Sequence, residues 1–352
     1  MAIELDNLHY DFREIDGYNK AFNFILSPRE LGKTSMFWLK KIYFGWKKDK
    51  RPFIYFVRTS VEISVALIES ISDVIINKFT DDNVVFEYNK GTFKDGITDI
   101  KIKGEVFFRI VSLSIPLRRI KLAVLKNIKG VLMDEYIIDP KTQEKYIPNE
   151  AFKIKEAYTT WRRECSGILK IYILANPYSL YNPLFLDWNV DVNKLRKNQF
   201  YVGNDFVIHW AVLSPQLREH LLEVNPLYQF DEDYSDYALE GSAINDKNIK
   251  LGIQPPNYSL KFVIKMDKNY IGIFRNDNFI DDDRYFVKLL DEVSAKRTIY
   301  CFDFASMVER SQIMSLDDRS RMNYFKDALR KRQVIFEDVN SYYLTEEVYK
   351  NI

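Results

Sequence analysis

At 352 residues the chain exceeds what one core comfortably fills, so two domains are expected, and 47% hydrophobic and 29% charged residues with only 12 Gly and 11 Pro exclude long disordered tracts. Net charge is +1, yet residues 1–200 hold 32 Lys and Arg against 25 Asp and Glu, leaving 19 against 25 in the rest, so contact with a polyanion is expected on the first half. Cys165 and Cys301 are too few for a disulfide framework or a Cys-based zinc site, and His9, His209 and His220 have no metal-ligand spacing. The start carries acids instead of a basic, then apolar, leader, and no apolar run nears 18 residues, so a cytosolic chain with no membrane partner is expected.

Apolar runs and helical periodicity alternate through the first half. Strands are expected over 22–26 and 53–57, each followed by a helix, over 34–46 and 61–78. Short strands follow near 84–88 and 106–112, then a strand at 130–133, a helix over 149–165 and a strand at 170–175. Strand, helix, strand in succession marks an α/β domain with a largely parallel sheet covered on both faces, placed at 1–197. A strand at 206–213 and a helix at 216–223 lead into an acidic stretch (Asp231, Glu232, Asp233, Asp236, Glu240), and residues 198–250 read as a connecting segment. A smaller α+β domain is expected at 251–352, with a hairpin over 260–275 turning at Asp267-Lys268-Asn269, a strand at 298–304, a helix at 316–331 and two short strands within 334–344.

Four motifs carry chemistry. Ser27-Pro28-Arg29-Glu30-Leu31-Gly32-Lys33-Thr34 lies between the strand FNFIL and a helix, where backbone N–H groups and the helix dipole point at an anion. Ser27, Arg29, Gly32, Lys33, Thr34 and Ser35 are the candidate phosphate-binding set for ATP, with Lys33 on the terminal phosphates and the Thr34 hydroxyl on Mg²⁺. Ser27 stands where the G-x-x-x-x-G-K-[ST] pattern has its first glycine, and Glu30 adds a negative charge. Val131-Leu132-Met133-Asp134-Glu135 ends a strand in two acids, Asp134 suited to the Mg²⁺ shell and Glu135 to polarising a water. Asn176, ending LAN, is placed to sense a γ-phosphate or position that water; a plain Asn-Pro turn is the alternative. Arg162 and Arg163 end the helix before that strand, where an arginine either completes a neighbour's site or merely complements the helix dipole. Between Lys101 and Lys129 there are eight basic residues and one acid, Glu105. Arg118, Arg119 and Lys121 in this stretch are candidate contacts to the phosphates of a duplex.

The order and wording of these pieces resemble one family, the genome-packaging ATPases of small podophages with protein-primed DNA, the phi-twenty-nine group. PRELGKT, IYFVR ending at Arg58, IPL at 115–117, VLMDEY, YIPNE at 146–150, Trp161-Arg162 and LANPYSLYNPLF at 174–185 carry the resemblance across the first 190 residues or so. It implies an additional-strand (ASCE-type) P-loop NTPase fold, assembled as a homo-oligomeric ring, a pentamer in that family. The ring would sit on the portal of a viral procapsid in the host cytoplasm and drive double-stranded DNA inward. It further implies that Arg162 acts as the trans finger and that the loop around Lys121 faces the channel. The C-terminal domain would resemble an RNase H-like nuclease that has lost its catalytic acids and docks on the portal and a structural packaging RNA. Two alternatives stand beside it: a packaging ATPase whose C-terminal domain is an active metal nuclease using Asp267, Asp277, Asp281, Asp282 and Asp283, or a non-enzymatic nucleic-acid-binding structural protein.

Overall fold

The computed structural model describes residues 9–139, 142, 144–165, 167–180, 182–230, 232–235, 238–239, 249–266, 269–276, 284–302, 307–331 and 333–351. The chain divides into two compact units, Met1–Ile244 and Asn245–Ile352.

The first unit is built on eight strands: β1 (Phe22–Leu26), β2 (Phe53–Val57), β3 (Ile97–Ile102), β4 (Glu105–Ser112), β5 (Gly130–Met133), β6 (Ile171–Ala175), β7 (Gln199–Val202) and β8 (Phe206–Trp210). Their order across the sheet is β3-β4-β2-β5-β6-β1-β8-β7. The six inner strands are parallel, and β3 and β7 close the two edges as antiparallel partners of β4 and β8. Every residue of β1, β5 and β6 is buried, which is why these segments read as unbroken apolar runs and not as alternating ones. β6 lies between β1 and β5, the extra-strand arrangement of the ASCE class, so the unit is an α/β P-loop fold.

One face of the sheet is covered by a long helix that starts as α at Lys33–Met36, widens to π-type turns over Phe37–Tyr43 and returns to α at Phe44–Asp49. It buries Phe37, Trp38, Leu39, Ile42, Tyr43 and Trp46. The helix Glu150–Trp161 covers part of the sheet's other face through Ala151, Ile154, Ala157 and Trp161, whose indole stacks on Phe56 of β2 at 5.3 Å. The strand expected at 84–88 is reduced to a single bridge, Glu87 to Lys101, because β4 takes the adjacent β3 as its hairpin partner instead. Within the stretch read as a connector, residues 199–210 form β7 and β8, and the helices Pro215–Val224 and Pro226–Phe230 place Leu217 and Tyr228 in the first unit's core.

Beyond β2 the chain turns at Arg58, whose guanidinium is buried against Glu150. Nε donates to the two carboxylate oxygens at 3.1 and 3.2 Å, and Nη2 donates to the carbonyl of Tyr136 at 2.6 Å. Glu150, 1% exposed, also accepts from the Ile147 N–H at 3.0 Å. Burial pushes the Glu150 carboxyl up against the pull of Arg58.

The second unit is α+β, with β9 (Tyr258–Met266), β10 (Asn269–Asn276), β11 (Tyr285–Leu290), β12 (Ile299–Cys301), β13 (Ser311–Ile313) and β14 (Val334–Phe336) in the order β13-β12-β9-β10-β11-β14. An antiparallel meander β9-β10-β11 is extended by parallel strands on both sides. Helices Asn323–Arg330 and Val339–Asn351 cover a core that includes Ile264, Ile271, Ile273, Phe325, Ala328, Leu344 and Val348. The second of the two strands expected within 334–344 is therefore the start of a helix: Leu344 and Val348, four apart, share the face that packs on the sheet. The acids Asp267, Asp277, Asp281, Asp282 and Asp283 lie outside the described residues.

Two predictions follow from the first unit's packing. His209 of β8 is hydrogen-bonded through Nδ1 to the Tyr10 hydroxyl at 2.9 Å and stacks on Phe200 at 3.9 Å, and burial pushes its pKa from 6.5 down to about 4. The unfolded chain binds the proton first, so His209 costs the fold nothing above pH 6.5 and lowers stability as pH falls from there toward about 4. The loss is bounded by about 3 kcal/mol and reduced because the ring is partly exposed. Denaturant melts of wild type and His209→Gln should diverge in slope across that window; parallel curves would refute the assignment. Glu150→Ala leaves Arg58 buried without its carboxylate, and thermal melts should show a loss of about 3–5 kcal/mol, with Glu150→Gln losing less. An unchanged melting temperature in Glu150→Ala would show that the pair does not hold the fold.

Candidate active site

β1 ends at Leu26, and the Ser27 N–H extends its ladder by donating to the Ala175 carbonyl at 3.1 Å. A single 3-10 turn, Arg29–Leu31, then delivers Gly32 in the left-handed region at φ 70°, and the helix begins at Lys33. Glycine is required there twice over. A side chain disfavours that φ, and a Cβ would come within 2.4 Å of the His9 ring. Ser27 fits the place of the pattern's first glycine because it is fully buried and its hydroxyl donates locally to the Pro28 carbonyl at 3.1 Å.

Lys33 is 5% exposed. Its ammonium donates to Asn176 Oδ1 at 2.6 Å and to the Ser27 carbonyl at 3.4 Å. Burial pushes the amine down to about 8, while Asp134 and Glu135 act on it in the opposite direction. Asp134, just past β5, has its carboxyl raised by burial against the pull of the Lys33 charge and of the Thr34 side chain beside it. Glu135 reaches solvent at a left-handed φ of 52°, and its N–H donates to Asp134 Oδ1 at 2.9 Å. Its carboxyl is raised by burial and then by the neighbouring Asp134 charge.

The structure thus brings together Lys33, Thr34, Asp134, Glu135 and Asn176 at the C-terminal ends of the adjacent strands β1, β6 and β5. Ser27 and Gly32 lie in the same loop, and Ser35 follows, half-buried, in the first helical turn. The donor set suits magnesium: a Thr34 hydroxyl and an Asp134 carboxylate lying near one another are hard oxygen ligands, and magnesium ordinarily takes one or two carboxylates plus phosphate oxygens and waters. Among the described residues no cluster of three or more His, Cys, Asp and Glu forms an all-protein metal cage.

Other residues named from the sequence lie elsewhere. Arg162 and Arg163 are exposed in the 3-10 turn Arg162–Glu164, ahead of β6 at the opposite end of the sheet. Strands rise about 3.3 Å per residue, so the length of β6 puts them on the order of 15 Å or more from the loop of the same subunit. Arg118 and Arg119 are exposed on the helix Leu117–Leu122. Lys121 is engaged by Glu156, and the Trp161 indole N–H donates to its carbonyl at 3.1 Å. In the same basic stretch Arg109 forks onto Asp99 at 2.6 and 2.9 Å, and Lys129 pairs with Asp49 at 2.6 Å.

Three neighbours of the site escaped the sequence reading. Tyr178 accepts Arg29 Nε at 2.8 Å and Nη2 at 2.6 Å, and Asn176 Nδ2 at 3.0 Å. The Tyr228 hydroxyl donates to Glu30 at 2.7 Å, giving the loop's acid a partner. His9 lies over Gly32, next to a backbone bond from Tyr10 N–H to the Leu31 carbonyl at 3.1 Å. Tyr178 sits inside the LANPY motif and was readable as a candidate; the other two come from distant segments and leave no local signal.

No protein-family model and no curated protein matches the sequence. Among the solved structures that match are two aligned nearly end to end. The bacteriophage Phi-29 viral genome packaging motor assembly is 20% identical, with 98% of this chain and 99% of that chain covered and a TM-score of 0.67. The Phi-28 gp11 DNA packaging motor is 16% identical, with 98% of each chain covered and a TM-score of 0.63. This chain therefore has, over nearly its whole length, the fold of those packaging-motor subunits: an α/β P-loop unit followed by a further α+β unit.

Proposed function

We propose that this chain is an ATP-hydrolysing subunit of a ring-shaped motor that drives double-stranded viral DNA into a procapsid. The observation that carries the reading is the meeting of Lys33, Thr34, Asp134, Glu135 and Asn176 at three neighbouring strand ends. The likeness of fold to the Phi-29 and Phi-28 motors supports the cargo and the ring. A pentamer, docking on a portal and contact with a structural RNA belong to the same reading, with the second unit a nuclease-like domain that has lost its activity.

In this mechanism Lys33 and the amides around Gly32 bind the terminal phosphates of ATP. Thr34 and Asp134 hold magnesium, which when bound neutralises charge on the phosphate oxygens. Glu135, exposed at the strand end beside Asp134, orients and deprotonates the attacking water. Asn176 reads the terminal phosphate through its contact with Lys33. Arg162, too far to serve its own loop, completes the site of the adjacent subunit. Arg118 and Arg119, on an exposed helix, are the phosphate contacts of choice, whereas Lys121 is already occupied by Glu156.

Glu135→Gln should lower turnover by on the order of a hundredfold or more while keeping nucleotide affinity, since it removes the base and leaves the phosphate cradle; full hydrolysis by that variant would sink the assignment. Arg162→Ala should be inactive alone, yet mixing it 1:1 with Glu135→Gln should restore roughly a quarter of wild-type hydrolysis, because one interface in four joins an intact site to an intact finger. No recovery in assembled mixtures would exclude action in trans. Replacing Arg118 and Arg119 by Ala should flatten the dependence of log DNA affinity on log salt by about 0.9 per arginine; an unchanged slope would place the DNA elsewhere.

A further inference from the structure

The network around Asn176 contains a group that phosphate binding and water activation do not account for. Lys33 has only donors, so the Asn176 atom 2.6 Å from its ammonium must be the carbonyl Oδ1, which fixes Nδ2 on the opposite side. There Nδ2 donates to the Tyr178 hydroxyl at 3.0 Å. The same hydroxyl accepts Nε and Nη2 of Arg29 at 2.8 and 2.6 Å, and the guanidinium carbon lies 5.7 Å from the ring centre. Tyr178 is buried at 8% exposure, and its N–H donates to the Asn176 carbonyl at 2.8 Å, so the phenol is held on the residue it orients. Arg29 also lies 3.6 Å from Asp139. A continuous polar chain thus runs from Lys33 through Asn176 and Tyr178 to Arg29, leaving the loop after β1 and returning to it by way of the end of β6.

We propose that Tyr178 is a positioning residue for ATP hydrolysis: its hydroxyl fixes the Asn176 amide so that Oδ1, not Nδ2, faces the reacting phosphate and water, and ties that orientation to Arg29 in the nucleotide loop. This rests on the ATPase reading above. An amide held this way offers an acceptor to the attacking water and to the lysine ammonium, and offers no donor to a phosphate oxygen. Without the phenol oxygen the amide keeps only the Lys33 ammonium to orient it, so its Nδ2 end loosens and the flipped state, in which the NH₂ opposes that ammonium and the water loses its acceptor, becomes less costly. The effect falls on the chemical step, because Lys33, Thr34 and the loop amides that bind the phosphates are untouched.

Tyr178→Phe removes one oxygen and keeps the ring that packs beside Arg29. In assembled, DNA-stimulated protein, kcat should fall roughly tenfold or more, while the dissociation constant of a fluorescent ATP analogue changes by less than about threefold. A variant that merely loosened the fold would move affinity and melting temperature together with kcat. Added to Asn176→Ala, the Tyr178→Phe change should cost nothing further, because the hydroxyl acts through that amide. A Tyr178→Phe kcat within twofold of wild type, or an additive loss in the double variant, would overturn the positioning role while leaving the ATPase reading intact. Wild-type protein that releases no phosphate from ATP in the presence of DNA would overturn both.

Discussion

A lysine ammonium placed almost out of water is the constraint around which the first unit is organised. An unpaired buried cation is expensive, and burial brings Lys33 down to about 8 even with Asp134 and Glu135 pulling the other way. What keeps it charged near neutrality is the supply of oxygens from three strands: the Ser27 carbonyl after β1, Asn176 Oδ1 after β6, and the acids Asp134 and Glu135 after β5. The acids are raised by burial in their turn, and Lys33 draws both of them back down. Each side makes the other tolerable, so the site depends on the parallel registers β1–β6 and β5–β6 that bring the three strand ends level. A one-residue slip of β6 would turn Asn176 to the opposite face and leave the ammonium short of its best acceptor.

The acid end of the site is held by a buried ion pair, Arg58 with Glu150. Glu135 adopts a left-handed φ, a conformation that costs a non-glycine residue roughly 1 kcal/mol or more and persists only where its neighbours are fixed. On one side Asp134 Oδ1 accepts the N–H of Glu135 itself. On the other, Tyr136 is held at three atoms: its N–H donates to the Leu174 carbonyl, its carbonyl accepts Arg58 Nη2, and its hydroxyl accepts the Leu184 N–H. Arg58 owes its own position to Glu150, the first residue of the helix that ends at Trp161. That helix rises about 1.5 Å per residue, so its twelve residues span about 18 Å from the neighbourhood of Glu135 to the turn carrying Arg162. One rigid element therefore has its start beside the acids and its end at the far edge of the sheet.

Local chemistry made much of this legible in advance. The buried runs 22–26, 53–57, 130–133 and 171–175 announce themselves because a strand buried on both faces carries no polar residue to break its pattern, apart from the internally bonded Asn23 and the tyrosines. The glycine-lysine-threonine turn and the acid pair could be read because the chemistry admits few residue types there. Edge strands were harder. β3 alternates between buried and half-buried residues and β7 has none buried, so neither shows a clear apolar run. The helix Val339–Asn351 is rich in aromatic and β-branched residues that favour strands, and only packing against the second sheet settles the matter. The pairings Arg58–Glu150, Glu30–Tyr228 and Tyr10–His209 join residues 92, 198 and 199 positions apart, which no local pattern encodes.

The two departures from the expected phosphate-loop pattern show how a fold absorbs a residue that its motif disfavours. A glycine at the position of Ser27 would bring backbone freedom, but Ser27 continues the β1 ladder and its side chain turns inward to the Pro28 carbonyl, so that freedom is not used. Glu30 is the more serious case, since a carboxylate beside a triphosphate repels it by an amount that depends on how well the charge is screened. Its carboxylate is drawn instead to the hydroxyl of Tyr228, on a short helix within the stretch that reads from sequence as a connector. The hydrogen bond leaves the charge in place but fixes its direction, and Gly32, which sets the course of the backbone toward Lys33, keeps its required φ two residues later. The segment after β8 is thus part of the support of the loop that follows β1, and that loop's unusual acid is intelligible only with the segment packed against it.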